Sequence, residues 1–352
     1  MCWANKEGKT MADYELLKRL CEARGISGDE GDVREMILHE VRPYADSISV
    51  TPLGNLIVSV KGKQPAKTRL MINAHMDEVG FIVTQIREDG TLGFSCVGGI
   101  DRRVIFGRRV LVAGKYPGVI GGKPVHLLDS DGRSKVPSPD DLVIDIGTST
   151  RAETEALVSP GDSVTFDSGY EESHGKILAR AIDDRAGCAM MIELIREGLE
   201  YDTVFCFAVQ EEIGLKGSKT ASFEIDPQAA IVLESTTAAD FKGVPEEKRV
   251  CRVGKGPVVS FMDRSTIYDK GYYRLAFDTA KELGIPCQTK TTVAGGNDAG
   301  AIHVSRGGVR CAAVSLPCRY LHSAVSMISK EDYEHALMLV RALSRKIAGD
   351  EA

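Results

Sequence analysis

Five apolar runs in this 352-residue chain each lead to a histidine or a carboxylate. RLMINA runs into His75-Met76-Asp77, KILARAI into Asp183-Asp184, TVFCFAVQ into Glu211-Glu212, AAIVL into Glu234, and VSLPCRYL into His322. A lone acid at such a place is commonly a helix cap or a solvated loop charge, but five such endings in one chain point to a shared site. Imidazole and carboxylate without thiolate is a donor set for zinc, cobalt or manganese. Two histidines and three carboxylates can hold two divalent ions about 3.5–4 Å apart if one carboxylate bridges them. Glu211 is then left over beside Glu212, and a carboxylate next to the ions that ligates neither is what a hydrolase uses as its general base. The run VFCFAV directly before this pair argues against a surface acidic patch. His75 and Asp77 lie two apart and share a face of an extended backbone, so Asp77 can accept the ring N–H turned away from a metal and fix the tautomer.

Those residues need elements to hold them. Helical spacing marks residues 11–24 and 29–42, and short apolar runs at 55–60 and 69–74 read as strands. From 79 to 167 the texture changes to short strand-like pieces (FIVTQI, GFSCV, RRVLVAG, DLVIDIG, DSVTFDS) punctuated by EDG, GG, YPG and SDG. Strand and helix then alternate: ILAR, helix 184–198, TVFCFAV, helix 214–222, AAIVLES, PVVSF, helix 268–283, VRCAAVSL and helix 330–346, for which Ser329 and Asp332 supply a capping box. The expected fold is α/β, a mixed, largely parallel sheet flanked by helices, with a β insertion. Ligand sites in such sheets lie beyond the carboxyl ends of the strands, where the five endings fall.

Composition sets the outer bounds. The chain is 43% hydrophobic and 27% charged with 36 glycines, an ordinary globular mix long enough for about two domains. Lys plus Arg number 44 against 50 Asp plus Glu, a net charge of −6 without a dense basic tract, so no nucleic-acid partner is expected. The first residues are charged where a signal peptide would be apolar, and no 18-residue apolar run occurs, so no membrane partner is expected and the chain reads as cytoplasmic. Nine scattered cysteines without CxxC spacing argue against a disulfide framework or a thiolate zinc site and are expected to act as small buried hydrophobes.

The segments NAHMDEVGF, KPVHLL, ARAIDDRAGC, VQEEIGLKGS, LEST, GGNDAGAI and RYLHS, in order from 73 to 323, resemble the TET-type (tetrahedral) metallo-aminopeptidases. That family includes glutamyl aminopeptidases, deblocking aminopeptidases and proteins historically labelled endoglucanase M. The resemblance implies a discontinuous catalytic domain, 1–78 and 167–352, and an inserted β-barrel-like dimerisation domain over 79–166. It implies one metal on His75, Asp183 and Glu234 and a second on Asp183, Glu212 and His322. Asp183 would bridge, Glu211 would be the general base and Asp77 the partner of His75. The two divalent ions would be zinc, with cobalt or manganese as alternatives. One position departs from the pattern: Glu234 is commonly Asp in related co-catalytic aminopeptidases. The resemblance further implies a cis peptide between Asp183 and Asp184, and dimers that build a hollow tetrahedral dodecamer acting on short peptides.

A deacylase or carboxypeptidase of the same clan is the alternative, since Glu is frequent there at the place of Glu234. A metal-free scaffold ranks below both because every ligand position is competent, and Glu211 and Glu212, diverging on an extended backbone, make a poor glycosidase pair. Residues 295–298 read as a turn with Asp298 capping the next helix or as part of the substrate pocket. Arg102, Arg103, Arg108 and Arg109 read as a solvated face or subunit contact.

Overall fold

The computed structural model describes residues 12–293 and 295–350. Its centre is an eight-stranded sheet in the order Ser47–Val50, Leu56–Val60, Thr203–Ala208, Leu70–His75, Ala229–Thr237, Arg310–Cys318, Val258–Val259, Gln288–Thr289. The four middle strands run parallel, and both flanks join them antiparallel. Leu70–His75 is buried at every position, the pattern of a parallel strand covered on both faces. Helices Tyr14–Glu22, Ile182–Glu197 and Lys330–Ala348 pack their apolar stripes into the larger core on one face. Lys216–Ile225 and Ala299–Ile302 cover the other.

Six antiparallel strands between Gly80 and Phe166 close into a barrel. Its interior is filled by Phe81, Val83, Phe94, Val110, Ile120, Ile144, Val164 and Phe166, the inward positions of alternating strands. Two helices of five residues, Ser130–Ser134 and Arg151–Glu155, lie in its loops. The four arginines at 102, 103, 108 and 109 are exposed, with Arg103 on Asp101 and Arg109 on Asp167.

Three local expectations change. The run ILAR does not join the main sheet; its strand, Lys176–Ala179, sits between Glu171–Ser173 and Ser326–Ser329 in a separate antiparallel sheet. Glu234 does not follow its strand, which continues to Thr237 paired with Pro317 and Cys318. Ser329 is the N-cap of the last helix but makes no side-chain cap bond, and the Asp332 carboxylate accepts instead from the amides of Gly254 and Gly256, at 2.6 and 2.7 Å. Satisfying two amides of a turn that is distant in sequence outweighs a cap that water can supply.

Six of the eight described cysteines are buried and all eight are free, while Cys2 lies outside the described residues. Among the described residues no helix is long and apolar enough to cross a membrane.

Candidate metal centre and active site

The parallel register brings His75 level with Ala208, and Val232 level with Asn73. Continued by two residues, that second pairing sets Glu234 beside His75. The His75 Nε2 atom lies 3.5 Å from Glu234 Oε1 and 3.5 Å from Asp183 Oδ1. The other Asp183 oxygen, Oδ2, is 3.2 Å from His322 Nε2, which is also 3.2 Å from Glu212 Oε1. Asp183 thus turns one oxygen toward each histidine. Two donor groups result, His75/Asp183/Glu234 and Asp183/Glu212/His322, sharing Asp183; a third, His75/Glu211/Glu212, shows that Glu211 is within reach of the same space. All seven residues singled out in the sequence converge here.

Asp183 comes from the first turn of Ile182–Glu197, where the Asp183–Asp184 peptide is cis. His322 sits four residues beyond its strand with φ 55°, a left-handed conformation that turns its ring back over the site. Its Nδ1 lies 3.0 Å from the carbonyl of Gly99, in the loop that leaves the barrel strand Leu92–Val97. Gly98 has φ +82°, and a Cβ there would fall 2.7 Å from Val79 Cγ1, so the loop needs glycine to come this close.

Asp77 has more to do than hold a ring. The nearest acceptor to His75 Nδ1 is the Asp77 backbone carbonyl at 3.0 Å, with the carboxylate at 3.5 Å. The carboxylate accepts from the amides of Glu211 and Glu212, at 3.0 and 3.1 Å, and from the Ser27 hydroxyl at 2.6 Å. One buried side chain therefore anchors the backbone of both glutamates beside the histidine.

Sequence reasoning misses the supporting ions. Glu78 is buried against Arg180 and Arg185, and fully buried Arg185 also donates to the Met76 carbonyl at 2.9 Å. Residues on either side of Asp183-Asp184 thereby clamp the segment that carries His75 and Asp77. The two arginines that bracket AIDD in the stretch ARAIDDRAG are the only available signal. Asp298 holds the N-cap position of Ala299–Ile302 but makes no side-chain cap bond there. Its Oδ2 accepts from Asn73 Nδ2 at 2.7 Å beneath the site, and the amide of Ala299 donates instead to Asn297 Oδ1 at 2.9 Å.

The electrostatics match an unsatisfied donor set. Burial, with the neighbouring negative charges of Asp298, Glu212 and Asp183, holds Glu211 well above the carboxylate range, although His75 opposes this. Burial, and then Asp183, do the same to Glu234. His322 is pushed up to about 11 because the carboxylates of Asp183 and Glu212 outweigh its burial. Asp183 Oδ1 is buried without a hydrogen-bond partner. So many acids around two imidazoles, with an orphaned oxygen at the centre, fit divalent cations and fit little else.

A family model described as M42 glutamyl aminopeptidase matches residues 54–339. The chain is 37% identical to a putative aminopeptidase of Acetivibrio thermocellus, over 93% of this chain and 97% of that one. It is 32% identical to a lysyl aminopeptidase of Pyrococcus furiosus (96% and 98% covered) and 30% identical to a glutamyl aminopeptidase of Lactococcus lactis (94% and 95%). Among solved structures it is similar to a TET aminopeptidase from a marine sediment archaeon, Thaumarchaeota archaeon, with TM-score 0.91 and 35% identity over 95% of this chain and 96% of that one. It is also similar to the Pyrococcus horikoshii TET1 peptidase, which can assemble into a tetrahedron or a large octahedral shell, with TM-score 0.82 and 36% identity over 94% and 98%.

Proposed function

The chain belongs to the M42 glutamyl aminopeptidase family, peptide hydrolases that act on N-termini, and from that premise we propose a dinuclear metallo-aminopeptidase that trims short peptides. The observation that carries the reading is Asp183, with one oxygen toward His75 and the other toward His322. His75, Asp183 and Glu234 would hold one ion, and Asp183, Glu212 and His322 the other, zinc being the first choice and cobalt or manganese the alternatives. Bound there, the ions supply Lewis acidity for the scissile carbonyl and for water.

The remaining work falls to the protein. Glu211 takes a proton from the attacking water and returns it to the departing amine. Asp77 keeps Glu211 and Glu212 in place through their amides. Residues 79–166 would form the dimerisation domain inserted in a catalytic domain of 1–78 and 167–352, with dimers building a tetrahedral dodecamer in the cytoplasm.

The test is a panel of aminoacyl-p-nitroanilides, free and N-acetylated, on metal-stripped protein resupplied with zinc, cobalt or manganese. Only free-amine substrates should turn over. Glu211→Gln should cut turnover at least ~10²-fold with metal content unchanged. Near-normal activity, or loss of metal, in that variant rejects Glu211 as the base. Light scattering should find a particle near 457 kDa, twelve times the 38.1 kDa chain; a monomer carrying its full metal content would reject the assembly.

A further inference from the structure

Beyond the strand Thr203–Ala208 the next four backbone amides all donate to side-chain oxygens. Val209 donates to Asn55 Oδ1 at 3.1 Å, Gln210 to Glu30 Oε1 at 3.2 Å, and Glu211 and Glu212 to the Asp77 carboxylate. Gln210 has φ 55°, a left-handed conformation that a residue other than glycine keeps only where its surroundings over-determine it. The peptides on either side of its Cα are held by Glu30 and by Asp77, and together the two carboxylates fix the turn from which Glu211 leaves the backbone. Glu30 makes no sense as a local feature. It stands at the N-cap position of the helix Gly31–Val41 yet makes no side-chain cap bond there. Its Oε1 accepts instead from the Gly28 amide at 2.7 Å and from Gln210, and only 4% of the residue is exposed. The connection that carries it is pinned on three sides: Ile26 bridges in parallel to Glu78, Ser27 donates to Asp77, and Asp29 accepts from the Ser163 hydroxyl of the barrel at 2.5 Å. An ionised acceptor bonds an amide about twice as strongly as a neutral one, so a buried carboxylate that passes over its own helix to reach residue 210 is well made to hold that peptide.

We propose that Glu30 is a positioning residue for the general base: by holding the Gln210 peptide it sets the direction in which the Glu211 side chain points. The inference rests on the aminopeptidase reading and deepens it. Glu30 touches neither substrate nor ion and acts through Glu211 alone. The competing role is purely structural, with the carboxylate serving only to close the turn from Gly28 to the helix.

The experiment measures kcat and KM of the metal-loaded full chain, on an aminoacyl-p-nitroanilide that the wild type turns over, in the wild-type and Glu211→Gln backgrounds. Glu30→Ala should lower kcat ~10- to ~10²-fold with KM and metal content unchanged, because a misaimed base is lost to the transition state and not to substrate binding. In the Glu211→Gln background the same change should cost less than ~2-fold, since no base is left to aim. Glu30→Gln keeps the accepting oxygen and should restore most of kcat. Amide hydrogen exchange in metal-free Glu30→Ala should quicken over residues 209–212 and stay unchanged in the strand before them. An equal loss in both backgrounds makes Glu30 a support of the fold and overturns the proposal. So does a near-normal kcat, a loss of metal, or unchanged exchange over 209–212 in Glu30→Ala. If that variant does not fold, Glu30→Asp, which keeps the charge and shortens the reach by one methylene, goes through the same two backgrounds and is judged by the same outcomes. No turnover of any arylamide by the wild type strikes the aminopeptidase reading itself, a distinct result.

Discussion

The barrel and the carboxyl edge of the main sheet bury side chains on opposite terms. Inside the barrel Phe81 meets Phe94 and Phe166 edge to face, with centroids 5.3 and 5.1 Å apart, within a cluster of buried apolar side chains. At the sheet edge His75, Asp77, Asp183, Asp184, Glu234 and Asp298 are all buried within one site. The barrel gains stability by taking apolar surface out of water and by closing its own strand edges. The sheet edge gives up stability to hold charges where cations can use them. The two regions touch where the Gly99 carbonyl lies 3.0 Å from His322 Nδ1 and where Ala324 packs into the barrel core.

Substitutions that separate function from stability would break this contrast if it is wrong. The largest effect should come from His75→Ala or His322→Ala, each lowering metal content and cutting activity at least ~10²-fold by removing a donor. Full metal stoichiometry by elemental analysis in either variant would mean the wrong ligand has been chosen. In the barrel, Phe81→Ala should cost about 3–5 kcal/mol of stability, seen in denaturant midpoints, with metal content per folded chain retained. A loss below ~1 kcal/mol would show that the barrel core is not the tightly packed region described.

The smallest effect sharpens the comparison with a lone buried acid that has no cation to meet. Glu193, on the helix Ile182–Glu197, accepts from the Tyr333 hydroxyl at 2.7 Å, and burial raises its pKa from 4.5 to about 7. Because the folded state holds this proton more tightly than the unfolded chain, the associated stability is full below about 4.5 and is lost as pH rises through about 7. Glu193→Gln should therefore flatten the fall in stability between those two values. Parallel wild-type and variant curves of denaturant midpoint against pH would refute it.

Much of this is legible in the linear chain. His75, Asp77, Asp183, Glu211, Glu212, Glu234 and His322 stand out because apolar runs announce strands and each run leads to a metal-ligating side chain. The barrel is legible as a change of texture between 79 and 167. What the pattern leaves open are pairings between distant segments. Asp332 reads as a helix cap and instead holds the amides of Gly254 and Gly256. The ILAR strand reads as part of the main sheet and pairs elsewhere. Arg180 and Arg185 on Glu78, the Asp77 carboxylate on two glutamate amides and Gly99 against His322 leave little or no local trace. Periodicity and side-chain chemistry are local properties, so the sequence alone determined which elements form and which residues can ligate. Which buried charge meets which partner depends on register and on the approach of chain segments far apart in sequence, and only the tertiary structure decided that.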